Sequence, residues 1–108
     1  MKYKGNTICL GGKTIECCEN IIQVIEIDKF VAVWLEYSHE NPTNNLMVYD
    51  RDGNKVWEID EVLKPFVPQS VVAVEQVDDR HISATTYEAS QLLIEVKSGK
   101  VVDRKFTK

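Results

Sequence analysis

No stretch of this 108-residue sequence stays apolar long enough to cross a bilayer, so no membrane segment is expected. The lysines of the opening MKYKGNTICLGGK are followed by no continuous apolar run, so no secretory signal is expected either. Neither a Cys-x-x-Cys nor a His-x-x-His spacing occurs, which removes the usual local arrangements for a structural metal. The three cysteines, Cys9, Cys17 and Cys18, cannot all pair within one chain, and two of them are adjacent. That usage suits a reducing compartment, and the expected location is the cytoplasm. Charged residues make up 28% and apolar residues 44%, the balance of an ordinary globular domain rather than a disordered one.

Catalytic motifs are missing as well, although two decoys are present. Gly11-Gly12-Lys13-Thr14 matches the end of a phosphate-binding loop, but the glycine required five residues before Gly12 is Thr7, and no strand-to-helix context surrounds it. A hairpin turn explains it better. In DRDGNKVWEIDE, Asp50, Asp52, Asn54 and Glu61 fall at the first, third, fifth and twelfth positions of a calcium loop. The sixth position, where a sharp bend needs glycine, is Lys55, and the flanks read as strands. A cysteine–histidine pair remains conceivable because such partners meet in space, not in sequence. The default for the thiols is an apolar, half-buried environment. No catalytic residue, metal or cofactor is assigned, and Trp34 and Trp57 read first as core, with Trp57 also able to anchor an interface.

What the sequence does contain is a repeat. LMVYDRDGNKVWEI, from Leu46, and LLIEVKSGKVVDRKF, from Leu92, both run apolar, turn at a glycine and leave through a lysine into a second strand. Period-two patterning dominates throughout, with strands read at NIIQVIEI, FVAVWLEY, NLMVYD and KVWEI, then at SVVAVEQV, HISATTY, QLLIEV and KVVDRKF. Each group of four turns at an aspartate between its first two strands (Asp28-Lys29; Asp78-Asp79-Arg80) and at a glycine between its last two (Gly53; Gly99). A shortened copy, TICLGGKTIEC, precedes them with its own Gly11-Gly12 turn. The expected fold is therefore all-β: a partial, or half, β-propeller of about two and a half four-stranded antiparallel blades. Residues 1–19 form the half-blade hairpin, 20–61 one blade and 70–108 another, all within one domain. A β-sandwich or small barrel is the alternative, because strand patterns alone do not fix topology. DEVLKPFVPQS, with Pro65 and Pro68, reads as an ordered connection with a helical turn before Pro65.

Charge is distributed unevenly over this frame. The net charge is −4, yet residues 16–62 carry eleven acids against three bases. Such a block disfavours direct binding of nucleic acid, which needs clustered cations, and favours a cationic partner. Strand direction sends Glu19, Glu36, His39, Glu40, Trp57, Glu58, Asp60 and Glu61 toward the end that holds the turn SHENPTNN, with Lys64 the nearest cation. Lys2, Lys4, Arg104, Lys105 and Lys108 fall at the same end but on the outer sheets. Those eight residues are the candidate partner-binding set.

The three glycine hairpins, the two-and-a-half-blade plan, the length and the acidity together resemble the half-propeller immunity proteins of bacterial contact-dependent growth inhibition systems. Members of that kind neutralise a nuclease toxin with a ribonuclease A-like fold. The resemblance covers the whole chain in architecture but contains no diagnostic motif, so no functional residue carries over from it. It implies a cytoplasmic, non-enzymatic protein that binds a nuclease toxin domain and occludes its basic active site. The competing class is a structural or regulatory protein-binding module that self-associates to cover its open edges.

Overall fold

The computed structural model describes residues 2–106, which form eleven strands and one short helix. The first sheet contains β1 (Lys2–Lys4), β2 (Thr7–Leu10) and β3 (Lys13–Glu16). The second holds β4 (Ile21–Ile27), β5 (Phe30–Leu35), β6 (Leu46–Asp50) and β7 (Lys55–Glu58). Helix α1 (Ile59–Leu63) then leads to the third sheet, β8 (Val71–Gln76), β9 (His81–Thr86), β10 (Ser90–Glu95) and β11 (Val101–Phe106). Every sheet is an antiparallel meander of consecutive strands, and none closes on itself, so a barrel is excluded among the described residues. The protein is all-β, built blade by blade as the repeat predicts. Lys108 and the end of the last expected segment lie outside the described residues.

The first sheet has one strand more than the hairpin expected from sequence. Lys2, Tyr3 and Lys4 pair with Cys9, Ile8 and Thr7. Three residues alternating lysine and tyrosine contain too little pattern to be read as a strand, and only the pairing with β2 makes them one.

The stack holds together through two apolar seams. In the first, Ile8, Leu10 and Cys17 meet Val31, Val33, Leu35, Met47 and Tyr49. In the second, Ile27, Ala32, Leu46, Val48 and Trp57 meet Val71, Val74, Ile82, Ala84, Leu92 and Ile94. Strand β5 therefore sends alternate side chains into both seams, which is why FVAVWL is apolar on both parities. Full burial of each valine, leucine or isoleucine contributes about 1.5–3 kcal/mol before chain entropy is set against it. Both tryptophans stitch the second seam: Trp34 Nε1–H donates to the Val71 carbonyl at 3.0 Å and Trp57 Nε1–H to the Val96 carbonyl at 2.7 Å.

The outer faces of the end sheets are mixed, with polar side chains beside a few apolar ones such as Val77 and Leu93. Cys9, Thr14 and Glu16 are exposed on the first, and Glu75, Asp103 and Lys105 on the third. There the small residues of HISATTY split by parity. Ile82, Ala84 and Thr86 face the seam, while Ser83 accepts a hydrogen bond from Gln91 at 3.0 Å on the outer row. None of the described residues belongs to a helix long and apolar enough to cross a membrane.

Helix α1 spans only five residues, burying Ile59 and Leu63 one turn apart and carrying Asp60 and Glu61 in its first turn.

Candidate partner-binding end

Because every sheet is a consecutive meander, the segments after β5, β7 and β9 and before β4, β6 and β8 gather at one end. The largest is the loop 36–45 between β5 and β6, which is tied down along its length. The Leu35 and Glu36 amides donate to the carbonyls of Asn45 and Asn20 at 2.8 and 2.9 Å. Ser38 Oγ–H donates to Glu19 Oε2 at 2.8 Å, and Asn41 Nδ2–H reaches Cys18 Sγ at 2.9 Å. Asn44, in the left-handed region at φ 56, donates through Nδ2 to Glu58 Oε2 at 2.8 Å and accepts the Asp60 amide on Oδ1 at 3.1 Å. Four residues of the polar run NPTNN, Asn41, Thr43, Asn44 and Asn45, thus act as clasps on neighbouring segments. Fully buried Asn45 closes the series: Nδ2 donates to the carbonyls of Leu35 and Val71, both at 2.9 Å, and Oδ1 accepts the Val71 amide at 2.8 Å.

These clasps sort the candidate acids into two kinds. Glu19, Glu58 and Asp60 are partly buried and turn inward to fasten the loop. Glu36, His39, Glu40 and Glu61 are exposed. Glu61 lies 3.5 Å from Lys64 in a pair exposed on both sides, worth little in water. Among the described residues, Glu36, His39 and Glu40 hold no side-chain partner. Trp57 belongs to the interior; at 7% exposure, with its ring nitrogen bonded to Val96, it offers a partner almost no surface.

Ionisation follows the same division. The hydrogen bond from Lys55, with another from Asn44, holds the Glu58 carboxyl below its ordinary value. Asp60 goes the other way. Burial raises its pKa above the ordinary 3.8, the Thr43 hydrogen bond opposes that, and the Glu58 charge adds to it. Its Oδ1 is shielded and has no hydrogen-bond partner among the described residues. An aspartate whose folded pKa is raised costs the fold nothing below its ordinary value, where both folded and unfolded forms are protonated. It lowers stability increasingly as pH climbs from that value through the folded pKa. Asp60→Asn is therefore expected to be at least as stable as wild type at pH 7, with the difference closing as pH falls toward 4. Thermal midpoints measured across that range check it; a variant less stable at neutral pH would contradict the assignment.

The two sequence decoys resolve as turns. Asp50 Oδ1 accepts the amides of Asp52 and Asn54, both at 2.9 Å, and these bonds hold its pKa down. Gly11 packs directly on the backbone of that same turn. Cys17 is buried, whereas Cys9 and Cys18 are exposed, not half-buried as expected. Burial pushes the Cys17 thiol up, Cys18 adds to the effect and Lys55 opposes it, an environment that works against the nucleophilic thiolate. Among the described residues, no group of three or more histidine, cysteine, aspartate or glutamate side chains is placed to hold a metal ion.

The architecture and this end define the class: an all-β stack of blade-like sheets presenting one braced, acid-bearing loop. The chain belongs to the family described as Domain of unknown function (DUF7957), whose model matches residues 1–106. No curated protein matches it, and no solved structure does.

Proposed function

We propose that this protein is an immunity protein, binding a cognate nuclease toxin domain and covering its basic active site without catalysing a reaction itself. The observation that supports the reading is the outward set Glu36, Glu40 and Glu61, held on a loop and helix that are braced from beneath. A nuclease must present cations to phosphates, so carboxylates on a preformed frame can stand in for the substrate backbone and speed encounter. Bracing also means that little ordering remains to be done on binding. The toxin would act, and be met, in the cytoplasm.

The test begins with the reading frame beside the gene. Expressed alone, its C-terminal domain should cleave RNA, and an equimolar amount of this protein should abolish cleavage. Neutralising Glu36, Glu40 and Glu61 to glutamine should cut the association rate on the order of tenfold at low salt and flatten its salt dependence. Stability should change by no more than about 0.5 kcal/mol, as for most surface substitutions. Undiminished cleavage in the presence of the protein would sink the proposal, as would a stable homo-oligomer by light scattering that ignores the nuclease.

A further inference from the structure

Beside the acidic loop, in the cleft between the second and third sheets, lies a groove of about 620 Å³ lined by Tyr37, Ser38, His39, Pro42, Ser70 and Tyr87. Tyr37 follows β5 and Tyr87 follows β9, so the two neighbouring sheets each contribute one aromatic wall. Both rings are unusually open for their size, 48% and 72% exposed. Neither wall is loose. The Tyr87 amide donates to the Ser70 carbonyl at 3.0 Å, and the Glu88 amide donates to Gln69 Oε1 at 3.3 Å. On the other side, Ser38 is held by Glu19 and by Asn41. Chain neighbours of the two tyrosines and of His39 are exposed acids, namely Glu36, Glu40 and Glu88, the last accepting from Gln69 Nε2 at 3.4 Å.

An open groove with two aromatic walls, no lysine or arginine in its lining and exposed acids next to its lining residues in the chain suits one kind of visitor. A guanidinium group is flat, stacks on aromatic faces and is held by carboxylates, and it sheds water more readily than an ammonium. The fold already uses this chemistry once, since the Arg104 guanidinium carbon sits 5.2 Å from the centre of the Phe66 ring. From these observations we infer that the Tyr37–Tyr87 groove is the anchoring site for an arginine side chain of a basic polypeptide partner. This rests on the reading of the acidic end as a partner surface, but it names a different element: the carboxylates attract, and the tyrosines seat. Tyrosine is also a residue type in which interface energy concentrates.

The probe is a short peptide alternating arginine with glycine, compared with its lysine and glutamate counterparts and followed by NMR of the tyrosine rings. The arginine peptide should shift Tyr37 and Tyr87 selectively, the lysine peptide should bind more weakly and the glutamate peptide not at all. Tyr37→Leu with Tyr87→Leu should weaken the arginine peptide roughly five- to thirtyfold, whereas the phenylalanine pair, which keeps the aromatic faces, should retain most of the affinity. Peptide binding that is indifferent to the leucine pair overturns the anchor. So does absence of any ring shift in the wild-type protein. Nuclease protection scores the wider reading separately. Protection that survives the leucine pair at full affinity removes the tyrosine anchor alone, and failure to protect despite tyrosine-dependent peptide binding removes the toxin and leaves the anchor.

Discussion

Asn45→Ala is expected to lower the stability of this protein by about 3–4 kcal/mol and its thermal midpoint by roughly 15 °C. The side chain is fully buried and makes three hydrogen bonds, two of them to Val71 on the neighbouring sheet. Alanine strips the Val71 amide of its acceptor, and an unsatisfied buried donor costs about 1–3 kcal/mol by itself. The Leu35 carbonyl loses its side-chain donor and a void opens at the seam, while the Val71 carbonyl keeps the Trp34 ring nitrogen. Asn45→Asp separates polarity from volume. It retains an acceptor for the Val71 amide but turns an oxygen toward two carbonyl oxygens, so its loss should equal or exceed that of alanine and should ease in acid, where the carboxyl protonates. Urea denaturation with both variants checks this. A loss under about 1 kcal/mol for alanine would show that the seam does not depend on this residue.

The same residue shows why part of the structure was legible in the sequence and part was not. Strands announce themselves locally, through alternation and through turns at Asp28, Gly53 and Gly99, so the repeat, the sheet plan and the helical turn before Pro65 all follow from short windows. β1 escaped because Lys-Tyr-Lys becomes a strand only beside β2. Asn45 falls where the turn SHENPTNN meets the strand NLMVYD, and neither pattern marks it as buried. Its partners Leu35 and Val71 lie 10 and 26 residues away, and no local pattern records that they converge.

The acidic set was legible in the same limited sense. Strand direction places Glu19, Glu36, Glu40, Glu58, Asp60 and Glu61 at one end, because direction follows from counting strands. Which of them turn inward depends on where Ser38, Thr43 and Asn44 come to rest, and that is a tertiary fact. Trp57 sits at the boundary between the two cases. Composition left it between core and interface, and the packing of β7 against the third sheet decides for core. The Tyr37–Tyr87 groove had no sequence signal at all, since its walls come from different sheets.

The second large effect separates two glycines that look interchangeable in the sequence. Both Gly11 and Gly12 take positive φ, 56° and 81°. A methyl group on Gly11 would stand 2.7 Å from Asp52 Cα and 2.8 Å from the Arg51 carbonyl oxygen, both main-chain atoms of the adjoining hairpin turn, whereas one on Gly12 would meet nothing within 4 Å. Gly12→Ala should therefore cost only the strain of the left-handed region, about 1–2 kcal/mol. Gly11→Ala adds a clash that no rotamer change can relieve, because both partners are backbone, and it should cost about 3–4 kcal/mol. The damage should also be local. Gly11 is where the first sheet's β2–β3 turn rests on the β6–β7 turn, so forcing the two apart should speed hydrogen exchange at Ile8 and Leu10 before it loosens the seam around Val71. Paired urea melts read the difference between the two variants, and exchange rates read its location. Equal losses at the two positions would mean that the hairpin turns do not touch in solution, and the close stacking of the first sheet on the second would have to be abandoned.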